Sequence, residues 1–181
     1  MSLANQDVVA RSSMISGDVE SVDELFDDPE LMLSVEDQPG VAGTRWREMR
    51  AARPGASTGV IELSYGGLLL ADARLSDELW PLWSYLLAMI EEYLADGVGQ
   101  AAFPSRPVHI VLRDRDDTSY FAVGDIELDV HAPSLIRGLL EGAEAFFTWL
   151  LEECEEEDAA GELAVIGQIR AEIADEDESE F

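Results

Sequence analysis

The sequence contains no lysine, a single cysteine (Cys154) and only two histidines (His109 and His131), and each scarcity closes off a class of chemistry. One cysteine excludes an intramolecular disulfide and any zinc site built from several thiolates. The eleven basic residues are all arginine and face 39 acidic ones, which leaves a formal net charge of −28 at pH 7. Nucleic acid is disfavoured as a partner, because binding it requires basic side chains that neutralise phosphates. Long apolar runs are also missing: stretches such as Tyr85 to Ile90 fall far short of the roughly 18–20 residues that span a bilayer. The N-terminus lacks a basic start followed by an apolar block, so no secretory signal is read there and the expected location is the cytoplasm.

What remains is a chain of 181 residues, 47% of them hydrophobic, long enough for one domain with a real core plus extensions. The acid is unevenly spread. Residues 1–53 carry 11 acids and 5 arginines (net −6), residues 54–151 carry 15 and 5 (net −10), and residues 152–181 carry 13 and 1 (net −12). Charge densest in the last thirty residues suits a tail that faces a partner or keeps the protein soluble. A lysine-free acidic composition is expected of a GC-rich genome and equally of adaptation to high salt.

Residues 1–20 are polar and aperiodic and read as disordered. Short helices are expected around Val22–Phe26 and Pro29–Val35, and Thr44 is placed to cap a brief helix through Ala52. Arg45, Arg47, Arg50 and Arg53 fall within nine residues and form the one basic patch. Beyond Pro54-Gly55 the runs Val60 to Tyr65 and Leu68 to Arg74 flank Gly66-Gly67, a strong hairpin signal. A helix of about twenty residues follows, capped at Ser76 or Asp77 and stopped at Gly97. Val108 to Arg113, Thr118 to Val123 and Ile126 to His131 alternate as a three-stranded meander. Pairing 113 with 118 and 123 with 126 turns Ile110, Leu112, Phe121 and Val130 inward. Pro133 then starts a second long helix with Leu135, Leu139, Ala143, Phe146, Phe147 and Leu150 in its buried stripe, while Gly138 and Gly142 allow close approach to the sheet. A weaker amphipathic helix spans Gly161 to Ile173, and DEDESEF reads as tail.

Each candidate for chemistry meets an obstacle. In the expected meander both histidines lie on the outer face, four residues and two strands apart, which is about 16 Å at ~3.3 Å per residue and ~4.8 Å per strand. One metal needs both nitrogens at roughly 2.0–2.1 Å. Asp114, Asp116 and Asp117 start like a calcium loop, but Thr118, Ser119 and Asp125 stand at its fifth, sixth and twelfth positions, where an acid or amide, glycine and glutamate are required. Gly55-Ala56-Ser57-Thr58-Gly59 matches a nucleophile elbow in letters, yet it precedes a strand instead of following one. Cys154 lies among Glu152, Glu153, Glu155, Glu156 and Glu157, whose charge disfavours the thiolate. The glutamates lack the Glu-x-x-His pairs of a bundle di-metal site. Trp83 and Trp149 read as core, whereas Trp80 falls off the main stripe and is the tryptophan expected to meet a partner.

The expected fold is α+β: a two-layer sandwich with an antiparallel sheet of about five strands, ordered hairpin, helix, meander, helix, and both long helices on one face. Residues 1–55 are expected as an acidic, partly disordered extension carrying the arginine cluster, 56–158 as the core domain, and 159–181 as a short helix with an acidic tail. The expected function is a non-enzymatic, protein-binding module of inhibitor, immunity or chaperone type, without cofactor or metal, that engages a basic partner through Arg113, Tyr120, Glu127, Asp129 and Trp80. The alternative is a salt-adapted cytosolic domain, a small ligand binder or enzyme, whose acidity serves solubility. A homodimer through the C-terminal helix is a further expectation.

Overall fold

A computed structural model describes residues 6–17, 19 and 21–179. It is a mixed α+β protein with two antiparallel sheets. The first has the order β2-β1-β3-β4, built from β1 (Val8–Ile15), β2 (Met32–Ser34), β3 (Thr58–Tyr65) and β4 (Leu68–Ala71), and the short β5 (Asp77–Glu78) also pairs with β3. The second has the order β6-β7-β8-β9, from β6 (Val98–Ala102), β7 (His109–Arg115), β8 (Thr118–Val123) and β9 (Ile126–Val130). The helices are α1 (Val22–Asp27), α2 (Pro39–Ala52), α3 (Leu79–Asp96), α4 (Ala132–Glu152) and α5 (Ala159–Ser179). The hairpin, helix, meander and helix expected from the sequence are all present, but their strands are divided between two sheets, the first enlarged by β1, β2 and β5 and the second by β6, strands the pattern did not reveal.

The first of these is β1. It lies inside its sheet, pairing with β2 and with β3 from Val8↔Tyr65 to Met14↔Gly59, so residues expected as disordered form a central strand. Its middle, Ala10 to Ser13, offers little apolar alternation, and the glycines that admit it to the core lie on the helix above. α4 presses directly on it: a Cβ at Gly142 would overlap the Ala10 carbonyl oxygen, and one at Gly138 would overlap the Val8 side chain. Ser12 sits where a strand pattern would want an apolar residue, and its hydroxyl accepts the Trp83 indole N–H at 2.9 Å. Residues 1–5, 18 and 20 of the stretch read as disordered lie outside the described residues, as do 180 and 181 of the tail. The N-terminal segment is therefore joined to the core: Met14, Leu33, Val35, Ala42 and Trp46 are buried in the same cluster as α3 and α4.

The strand hidden in the second sheet, β6, follows α3 and pairs with β7 from Val98↔Arg113 to Ala102↔His109. Gly99 is required there, since a Cβ would overlap the Met89 carbonyl oxygen. Pro29 opens only a 3-10 turn, and the chain from Met32 is extended against β1 instead of helical. α2 starts at Pro39, five residues before the expected cap, with Thr44 donating back to the Gly40 carbonyl at 3.0 Å.

The meander corrects one register. Arg115 pairs with Thr118, so the loop is Asp116-Asp117 and not four residues long. Asp116 adopts φ 49°, a left-handed conformation that aspartate tolerates better than most residues. A shift of two leaves every side chain on its expected face, and Ile110, Leu112, Phe121, Val123 and Val130 are buried. Those residues join Ile61, Leu63, the α3 and α4 stripes, and Ile166 and Ile169 of α5 in one core.

Candidate functional site

The outer face of the second sheet gathers four of the five residues expected to meet a partner. Alternation along β7, β8 and β9 turns Arg113, Tyr120 and Asp129 outward, and the register places them side by side, Arg113↔Tyr120 and Tyr120↔Asp129. The Arg113 guanidinium lies over the Tyr120 ring at 4.5 Å, and the Tyr120 hydroxyl donates to Glu127 Oε2 at 3.0 Å. That hydrogen bond to a carboxylate raises the phenol's pKa. Arg115 and Asp129 form an ion pair at 3.5 Å. The result is an exposed strip with an aromatic centre, acids on one side and arginines on the other. Such a strip combines an aromatic face with directional hydrogen-bonding and charged groups.

Trp80 is not on this face. Half-buried in the first turn of α3, it stacks on Trp46 at 6.3 Å and meets the Phe147 ring edge-on at 5.9 Å. It is part of an aromatic cluster that closes with Phe146 and Trp149 and ties α2 to α3 and α4.

The arginine cluster of α2 serves this same junction. Arg45 Nε donates to the Ile15 carbonyl at 2.9 Å, and Arg47 Nη1 donates to the Glu153 carbonyl at 2.7 Å. Arg50 lies over Trp46 and pairs with Glu156 at 3.4 Å, while Arg53 pairs with Glu78 at 2.8 Å. The one basic patch visible in the sequence is thus engaged by the chain's own carbonyls, carboxylates and ring.

The remaining motifs resolve into structure. Ser57 is fully buried, its carbonyl accepting from the Leu79 N–H at 2.8 Å and its hydroxyl from the Trp80 N–H at 3.3 Å, so it caps α3 from the preceding segment. The Glu78 carboxylate in turn accepts from the Ser57 hydroxyl at 3.1 Å and from the Ser57 backbone N–H. His109 is exposed at the start of β7. His131, expected on the sheet, instead caps α4, with Nδ1 at 2.8 Å from the Ser134 hydroxyl and accepting from the Ser134 N–H at 3.3 Å. Among the described residues, no three His, Cys, Asp or Glu side chains converge as a cation site. The Cys154 thiol is pushed up to about 12, chiefly by burial and only then by Glu156 and Glu153, with Arg47 opposing. The sequence attributed that shift to neighbouring charge, but desolvation dominates because the helix end folds inward.

Another face of the molecule carries a groove that no sequence pattern announces. Between the end of α3, the start of α4 and α5 lies a groove of about 530 Å³ whose walls include Leu94, Ile136, Leu140 and Ile173, with Arg137 at its rim. Its only sequence signal is an arginine set between apolar pairs, LIRGLL, which reads as an ordinary solvated position until α5 is placed beside it.

No protein-family model, curated protein or solved structure matches this chain. Among the described residues, no helix is long and apolar enough to cross a membrane.

Proposed function

We propose that the protein is a non-enzymatic, acidic binding module that engages a basic protein partner, with the outer face of the second sheet as its contact surface. The observation that carries this reading is the fate of the arginines. Eleven cannot balance 39 acids, and those of α2 are committed to contacts within the chain, two of them to carbonyl oxygens that carry no formal charge. The surplus negative field is therefore left for a cationic surface, and fields of this kind accelerate encounter by about 10–10³ fold. Arg113, Tyr120, Glu127 and Asp129 supply the directional contacts that discriminate among basic partners. α5 buries Ile166 and Ile169 within the chain, which leaves little apolar surface for a dimer through that helix and favours a heterologous partner.

The test is capture from native lysate at low ionic strength on the immobilised protein. A basic protein is expected that elutes near 1 M salt, where the Debye length falls to about 3 Å, and whose recovery drops when Arg113 and Tyr120 are both replaced by alanine. Recovery of no basic protein, together with a folding midpoint that climbs steeply in molar salt, would identify the acidity as salt adaptation instead.

A further inference from the structure

We propose that the groove between α3, α4 and α5 is a binding site for an aliphatic monocarboxylate, held by Arg137 at the rim and by the apolar walls below it. The proposal is independent of the basic-partner reading, since it concerns another face and a ligand of opposite charge.

In a chain where acids outnumber bases this strongly, guanidinium groups find carboxylates or carbonyls readily, and the other groove arginine does so: Arg170 binds Glu144 through two hydrogen bonds of 2.8 Å each. Arg137 is exposed and, among the described residues, has neither a hydrogen-bond nor an ion-pair partner, although Glu141 stands one turn further along α4 on the same groove. A planar guanidinium left open above an apolar floor matches a carboxylate, which it binds through two parallel N–H···O bonds.

The walls define the rest of the ligand. Ile136 and Leu140 are buried and form the floor, and Leu94 and Ile173 are half-buried sides. Among the described residues, the one aromatic ring at the groove is Tyr93, whose hydroxyl is already spent on Asp114 at 2.6 Å and Ser119 at 3.0 Å. The floor and sides are thus aliphatic, while the rim carries Arg137 and Glu141, neither of which has a hydrogen-bond or ion-pair partner among the described residues, and Arg170, which Glu144 holds; the volume of about 530 Å³ lies within the roughly 300–1,000 Å³ of small-molecule sites. Glu141 at the rim and the net charge of −28 select against a dianionic head such as a phosphate monoester.

Calorimetric titration of the full chain with sodium decanoate below its micelle concentration tests this, with 1-decanol as the uncharged control. Saturable binding of one decanoate per chain is expected, weakened at least tenfold by Arg137→Gln, which leaves 1-decanol binding unchanged. Ile173→Glu is expected to weaken both ligands at least tenfold, and Arg137→Lys, which keeps the charge and loses the fork, to fall between wild type and Arg137→Gln. Thermal melts of the exposed-site Arg137 variants serve as the folding control. Absence of saturable decanoate binding, stoichiometry well above one, or equal affinity in wild type and Arg137→Gln would each overturn the proposal.

Discussion

The indole Nε1 of Trp46 donates to Glu156 Oε1 at 2.8 Å across 110 positions of sequence, and with the Arg47 and Arg50 contacts this bond fastens α2 to the segment between α4 and α5. Trp46 is fully buried, so without its acceptor the indole N–H has nowhere to turn. Glu156→Ala is expected to cost about 1–3 kcal/mol, the penalty for an unsatisfied buried donor. Glu156→Gln keeps an acceptor and loses less. Urea denaturation of both variants checks the ordering.

Helix propensity and packing pull against each other at Gly142. Alanine there gains roughly 1 kcal/mol of intrinsic helix stability, but its Cβ would meet Trp83 at 2.9 Å as well as the β1 backbone. Overpacking of this kind costs about 1–3 kcal/mol, so Gly142→Ala is expected to lower the melting temperature. Gly167 in α5 is the opposite case, because a Cβ added there has nothing within 4 Å. Gly167→Ala is expected to raise the melting temperature.

Ser57→Ala removes the hydroxyl that receives the Trp80 N–H. A loss of about 1 kcal/mol is expected, the usual worth of a side-chain cap, and chemical denaturation measures it. A fluorophosphonate probe for serine hydrolases is expected to leave Ser57 unlabelled in the native protein.

Cys154 is buried and its thiol is raised to about 12. Ellman's reagent at pH 8 is expected to react slowly with the native protein and at once in urea, since the thiolate is the attacking species.

Tyr93 is likewise pushed up to about 12 from its ordinary 10, first by burial and then by its bond to Asp114. The folded state therefore holds a proton that the unfolded chain has lost between these values. Its contribution to stability is complete below about pH 10 and fades as pH rises toward 12. Tyrosinate absorbance is expected to show a late step that disappears in Tyr93→Phe.

What the sequence made legible was periodicity carried by large side chains. The α3 and α4 stripes and most of the inward face of the meander are built from Leu, Ile, Phe, Val and Trp and are buried as their spacing implies, whereas Ile126, expected on that face, is exposed where β9 begins. β1 and β6 were illegible because Arg11, Ser12 and Ser13 break the apolar alternation of β1, and Gly99, Ala101 and Ala102 give β6 too little side chain to show one, while the glycines that let α4 close on β1 stand in the helix. Arg113, Tyr120, Glu127 and Asp129 came together because strict alternation fixes which side a residue faces even when the pairing slips by two. Trp80, expected as the exposed tryptophan, packs instead against Trp46 and Phe147 from distant parts of the chain, contacts that helical spacing alone does not reveal; the arginine cluster, legible only as a basic patch, finds its partners partly in the segment that follows α4.

The position of β1 also sets an order of events during synthesis. Val8–Ile15 is made early, but its long neighbour ends at Tyr65 and the helix lying across it ends at Glu152. A nascent chain halted before α4 emerges would hold a sheet with one apolar side open to water, and such surfaces recruit chaperones or aggregate. Ribosome-stalled chains ending near residue 130 are expected to stay protease-sensitive, with protection arriving only once α4 has cleared the exit tunnel.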